Sequence, residues 1–100
     1  MEFVYSEELI DYMTKKGKKN IIVEIAKSDS SDFNVEEFHI HLVSDKQADL
    51  FIKRQGFHPY ETPVGRILLP NYKLEYSDTV SFGVKKILLW QIVTATGISF

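Results

Sequence analysis

Residues 5–26 read Tyr5-Ser6-Glu7-Glu8-Leu9-Ile10-Asp11-Tyr12-Met13-Thr14-Lys15-Lys16-Gly17-Lys18-Lys19-Asn20-Ile21-Ile22-Val23-Glu24-Ile25-Ala26. This stretch holds one complete helix and the strand that follows it. Ser6 is a good N-cap, because its hydroxyl can accept from an otherwise unpaired first-turn amide. Glu7 and Glu8 suit the positive end of a helix dipole, and Tyr5 and Ile10 occupy the two positions of a hydrophobic staple. Leu9 and Met13, joined by Tyr12, form the buried stripe. Lys15 and Lys16 fill the last turn, and Gly17 can take the left-handed cap conformation. The pattern predicts a helix over residues 7–16. From Asn20 to Ala26 the residues are β-branched and alternate, with Ile21, Val23 and Ile25 on one face, so a strand follows at once.

Further along, Ser28-Asp29-Ser30-Ser31-Asp32 is too polar and turn-prone to be an element. Residues 37–43 alternate again: Phe38, Ile40 and Leu42 point one way, and Glu37, His39 and His41 the other. Ser44-Asp45-Lys46-Gln47 has the form of a capping box. Two outcomes stay open for residues 46–56: a short helix lined by Ala48, Phe51 and Ile52 and ending at Gly56, or a loop with an edge strand. Two short strands are expected around Pro63-Val64-Gly65. Residues 74–82 and 87–95 are further strand candidates, separated near Gly83-Val84-Lys85-Lys86. Val4 and Tyr5 are a possible lead-in strand, and the terminal Phe100 is expected to pack. A helix followed by short, closely spaced strands predicts an α+β fold, mostly antiparallel β, in one domain covering residues 1–100.

Composition narrows the chemistry. The 100 residues are 44% apolar and 26% charged, with 13% aromatic, which is ordinary globular usage with ample material for a core. A formal charge of −2 provides no strong field toward nucleic acid or a membrane surface, and neither is expected as a partner. There is no cysteine, so no disulfide framework marks a secreted protein. The acidic start is unlike a signal peptide, and the longest apolar run, Ile87–Val93, is far short of the roughly 20 residues of a membrane span. The expected compartment is the cytoplasm.

The order of these elements resembles the HesB-like family, which includes the A-type iron–sulfur carriers, and especially its small CC/Se motif branch. The resemblance is carried by Tyr5–Lys19 with the strand Asn20–Ala26, then Tyr60, Val64-Gly65-Arg66-Ile67, Pro70 and Leu74. It closes with Lys86-Ile87-Leu88-Leu89-Trp90-Gln91-Ile92-Val93 and Gly97-Ile98. It implies a compact β-rich fold with an N-terminal helix and a link to iron–sulfur assembly. The chain departs from the family at the functional positions. Ser28–Asp32 stands where the paired cysteines would lie, and Thr94-Ala95-Thr96-Gly97 where the carriers have Cys-Gly-Cys. Hydroxyls do not replace thiolates at a soft iron–sulfur unit, so no ligand carries over.

Few residues remain as candidates for chemistry. His39 and His41 share a strand face with Cβ atoms about 6.5–7 Å apart. Two imidazoles so placed can reach one metal at about 2.0–2.1 Å each. His58 is a third candidate ligand, with Glu37 or Glu61 as a carboxylate. The plainer alternative is the solvent face of an amphipathic strand. Ser28–Asp32 lacks the glycine and terminal glutamate of a calcium loop, and turn chemistry accounts for it. Lys15-Lys16-Gly17-Lys18-Lys19 could meet a phosphate or an acidic partner, although lysines are expected at a helix C-terminus. Trp90 is most simply core. If its neighbourhood is exposed, it forms a partner surface, with a homodimer the first reading. No catalytic triad or phosphate loop is visible, so a non-enzymatic binding or accessory role is expected, with no assigned cofactor. The alternatives are a metal-binding protein or metal-dependent enzyme using His39 and His41, and a dimerising interaction module.

Overall fold

The computed structural model describes residues 1–29 and 34–100, the side chains of 27–29 and 34–36 excepted. Along the chain run β1 (Glu2–Tyr5), α1 (Glu7–Lys16), β2 (Asn20–Asp29), β3 (Asn34–Val43), α2 (Asp45–Gln55), β4 (His58–Glu61), β5 (Arg66–Leu69), β6 (Glu75–Ile87) and β7 (Trp90–Ser99). They form a three-stranded sheet ordered β1-β6-β7 and a four-stranded sheet ordered β3-β2-β5-β4. Both long ladders, β2–β3 and β6–β7, are antiparallel, whereas β1–β6 and β2–β5 are parallel. The α+β, β-rich expectation holds.

Local chemistry sets the element ends. The Leu9 amide donates to Ser6 Oγ at 3.1 Å, and Gly17 closes α1 with φ 65°. The choice left open at 46–56 resolves to helix, which adds α2 to the N-terminal helix. The Gln47 amide donates to Ser44 Oγ at 3.2 Å, and the Ser44 amide donates back to Gln47 Oε1 at 3.1 Å. Gly56 then ends α2 with φ 71°. The capping box is therefore complete.

Alternation in β2 divides the interior in two. Ile21 and Val23 join Leu9 and Met13 of α1, Ile67 and Leu69 of β5, Val80 and Phe82 of β6, and Val93 of β7 in the main core. Ile22, on the opposite face, packs with Val43, Ala48, Phe57 and Leu68 beneath α2. The four-stranded sheet is thus the middle layer. It has the other sheet and α1 on one side and α2 on the other. Phe100 stacks on Phe38 with centroids 4.4 Å apart, so the terminal aromatic packs as expected.

At the other end of the molecule the chain departs from the expected layout. The β6–β7 connection is not near Gly83–Lys86. Both strands run through that region, with Gly83 opposite Thr94 and Ile87 opposite Trp90. The turn is Leu88-Leu89, further along, and it carries no Gly, Pro, Asn or Asp to mark it.

Candidate functional site

The far end of the β6–β7 hairpin is the most unusual surface of the chain. Relative exposure is 45% at Ile87, 86% at Leu88, 95% at Leu89, 74% at Trp90 and 46% at Ile92. Trp90 is therefore not core, which corrects the simpler sequence expectation. The strands extend past the layer that could cover them: Val93 and Phe82 are the last buried residues on this ladder. Beyond Val84 and Val93 burial falls away toward the turn, and only Gln91 and Ile92 still border a groove toward α1 and β3 among the described residues. A contiguous apolar cluster of this kind marks an interaction site more often than chance exposure.

Basic residues surround its foot. Lys85 and Lys86 stand opposite Ile92 and Gln91 and, being adjacent in a strand, leave opposite faces of the hairpin. Gln91 and Ile92 also line an open groove with Tyr12, Lys16, Lys18 and His41, and no Asp or Glu lines it. Part of the basic run at residues 15–19 thus meets the hairpin, with Lys16 Nζ lying 5.6 Å from the Tyr12 ring centre.

The histidine candidates are divided by the sheet. His39 and His41 project from the same face of β3, as the alternation predicts. His39 Nε2 lies 3.4 Å from Glu37 Oε1, and His41 Nε2 lies 3.3 Å from Glu24 Oε2. His58 and Glu61 lie on β4, three strands away in the order β3-β2-β5-β4, roughly 14 Å across the sheet. They do not join the pair. Among the described residues, no group of three or more His, Asp or Glu is arranged to hold a metal ion.

The positions where the resemblance would place sulfur ligands do not suit a cluster either. Thr94 to Gly97 lie inside β7, with Thr94 and Ala95 paired to Gly83 and Phe82. Gly97 has φ 90°, and a Cβ there would stand 2.5 Å from the Thr79 carbonyl oxygen beside an irregularity in β6. This segment is tightly built backbone with hydroxyl side chains, a hard-donor set without thiolate. Of Ser28–Asp32, residues 30–32 lie outside the described residues.

Comparison with solved structures finds a likeness to the crystal structure of Escherichia coli SufA, a protein involved in biosynthesis of iron–sulfur clusters. The TM-score is 0.52 at 10% sequence identity, covering 96% of this chain and 80% of that one. The fold is shared. No protein-family model matches the chain, and no curated protein matches it.

Sequence reading missed a polar junction between β2, β5 and α2. Asn20 is buried, and its Nδ2 donates to the Val43 carbonyl at 3.2 Å and to Asp45 Oδ1 at 2.8 Å. Arg66 Nε donates to Asn20 Oδ1 at 2.9 Å, and its Nη1 reaches Asp49 Oδ1 at 3.1 Å. Every polar atom of the Asn20 amide is engaged, so this junction holds α2 to the sheet. The only sequence signal was a polar residue opening an otherwise β-branched strand. Among the described residues, no helix is long and apolar enough to cross a membrane.

Proposed function

We propose that this chain, as one domain over residues 1–100, is a non-enzymatic accessory protein of iron–sulfur biosynthesis. It contributes no cluster ligand and works by docking through the β6–β7 hairpin, with the cytoplasm as its compartment. The observation that carries this reading is the Ile87–Trp90 tip, an apolar surface left exposed among the described residues. Support for the process comes from the likeness of fold to SufA and from the HesB-like pattern of the sequence. Support for a ligand-free role comes from the absence of cysteine together with the hydroxyl-bearing strand at Thr94–Thr96.

Affinity capture from the native cell, after crosslinking, tests it. The wild-type chain is expected to retain iron–sulfur assembly proteins, and a Leu88→Ser/Leu89→Ser variant to retain fewer. Anaerobically purified protein is expected to lack cluster absorption in the visible range. A cluster held by the isolated chain, or capture unrelated to iron–sulfur proteins, would remove the proposal.

A further inference from the structure

We infer that the occupant of the hairpin tip is an anionic lipid surface, into which Leu88, Leu89 and Trp90 insert while Lys85 and Lys86 meet the headgroups. This rests on the hairpin being the docking surface and goes further by naming what it docks to, a lipid surface at which the captured assembly proteins are met. It also replaces the expectation, drawn from net charge alone, that no membrane is a partner. The relevant charge is local.

The hairpin is layered along its axis. Leu88 and Leu89 form the turn, Ile87 pairs with Trp90 on the first rung, Lys86 with Gln91 on the second, and Lys85 with Ile92 on the third. At about 3.4 Å per residue the lysines stand roughly 7–10 Å behind the tip. Interfacial segments bury their apolar parts about 5–10 Å into the boundary between headgroups and acyl chains. Leucines would reach the acyl chains, the tryptophan would sit at the interface that its amphipathic ring prefers, and the ammonium groups would lie at phosphate level. Lys85 and Lys86 leave opposite faces, so charge flanks the tip on both sides. Among the described residues neither has an ion-pair partner. Lys16 and Lys18 extend the basic collar along the adjoining groove.

One further observation favours lipid over a second copy of the chain. Copies meeting tip to tip would bring Lys85 and Lys86 toward their own kind, whereas a bilayer carries opposite charge and deforms around a convex wedge.

Leu88 adds an independent sign. Its φ is 55°, and it is the only non-glycine with positive φ among the described residues. In a two-residue hairpin turn that first position favours glycine. A leucine occupies it, almost wholly exposed, despite the backbone strain.

The single tryptophan of the chain is at the tip, so its emission reports docking directly. The full chain would be titrated with phosphatidylcholine vesicles, with or without phosphatidylglycerol, and followed by fluorescence and flotation. Expected are a blue shift of Trp90 and flotation with the anionic vesicles only. Leu88→Ser/Leu89→Ser is expected to weaken partitioning by at least about tenfold. Lys85→Ala/Lys86→Ala is expected to weaken it about 20- to 30-fold, and high salt to weaken the wild type. Circular dichroism melts confirm that the variants fold. Equal binding to both vesicle types overturns the inference. So does a doubled mass in light scattering with Trp90 already blue-shifted in the absence of lipid, which would assign the tip to a second copy. Absence of vesicle binding overturns it too. The accessory function would then stand if protein capture still depended on the hairpin, and fall if it did not.

Discussion

Leu88 combines strain with exposure. A left-handed backbone costs a residue bearing a Cβ about 1–2 kcal/mol, while its side chain contributes almost nothing to the core. Leu88→Gly is expected to raise stability by about 0.5–1 kcal/mol in urea denaturation, part of the relief being offset by the freer unfolded chain. The same variant should dock less well. Gly65 presents the opposite case. An added Cβ would stand 1.9 Å from the Lys19 carbonyl oxygen, and backbone cannot move aside as a side-chain tip can. Gly65→Ala is expected to lose about 2–3 kcal/mol by the same measurement. Tyr5 extends the constraint around this turn. The Tyr5 hydroxyl and Thr62 Oγ1 share a hydrogen bond at 2.9 Å, and Thr62 Oγ1 also lies 2.7 Å from the Gly65 carbonyl oxygen. Burial raises the pKa of Tyr5, with the Thr62 hydrogen bond opposing, and burial also raises that of Tyr76. A tyrosine whose pKa rises on folding holds its proton more tightly in the fold. Its contribution is whole below the ordinary value of 10.0 and is lost as pH climbs through the raised one. Thermal midpoints should therefore fall above about pH 10, less steeply in Tyr5→Phe.

At the scale of elements, α1 and α2 differ in how far local sequence specifies them. Both helices have a serine cap and a glycine stop, yet 46–56 remained open from sequence because Ala48 is its only fully buried residue. What completes α2 is its seat on Ile22, Val43 and Leu68, together with the Asn20–Asp45 and Arg66–Asp49 bonds. Asn20→Ala is expected to cost about 2–3 kcal/mol, because it takes one hydrogen bond each from the Val43 carbonyl, Asp45 and Arg66 Nε at a buried junction. Amide exchange in α2 should rise more than in α1. The strands tell a similar story. β2 over 20–26 and β3 over 37–43 were legible because one face is buried and the alternation is clean. The extension of β2 to Asp29 and the start of β3 at Asn34 were not, because Ser28 and Asp29 read as turn residues. The β6–β7 turn was not, because an apolar Ile-Leu-Leu-Trp run reads as buried strand unless something shows that nothing covers it.

On the scale of the whole molecule, two sheets and α1 enclose the main core, and the β6–β7 ladder outruns it. That excess length creates the candidate site, with Lys16 and Lys18 meeting it from the far end of α1. The histidines show the same dependence on assembly. Strand spacing alone put His39 and His41 together, but only the order β3-β2-β5-β4 separates His58 from them. Composition by itself determined that no thiolate chemistry occurs in this chain, since ligand identity is covalent and no fold can supply a missing sulfur. Local pattern determined α1, the Ser44 capping box and the faces of β2 and β3, because each rests on contacts within a few residues. Tertiary structure alone decided which apolar residues lack cover. Burial depends on what packs opposite, and among the described residues Leu88, Leu89 and Trp90 stay largely exposed.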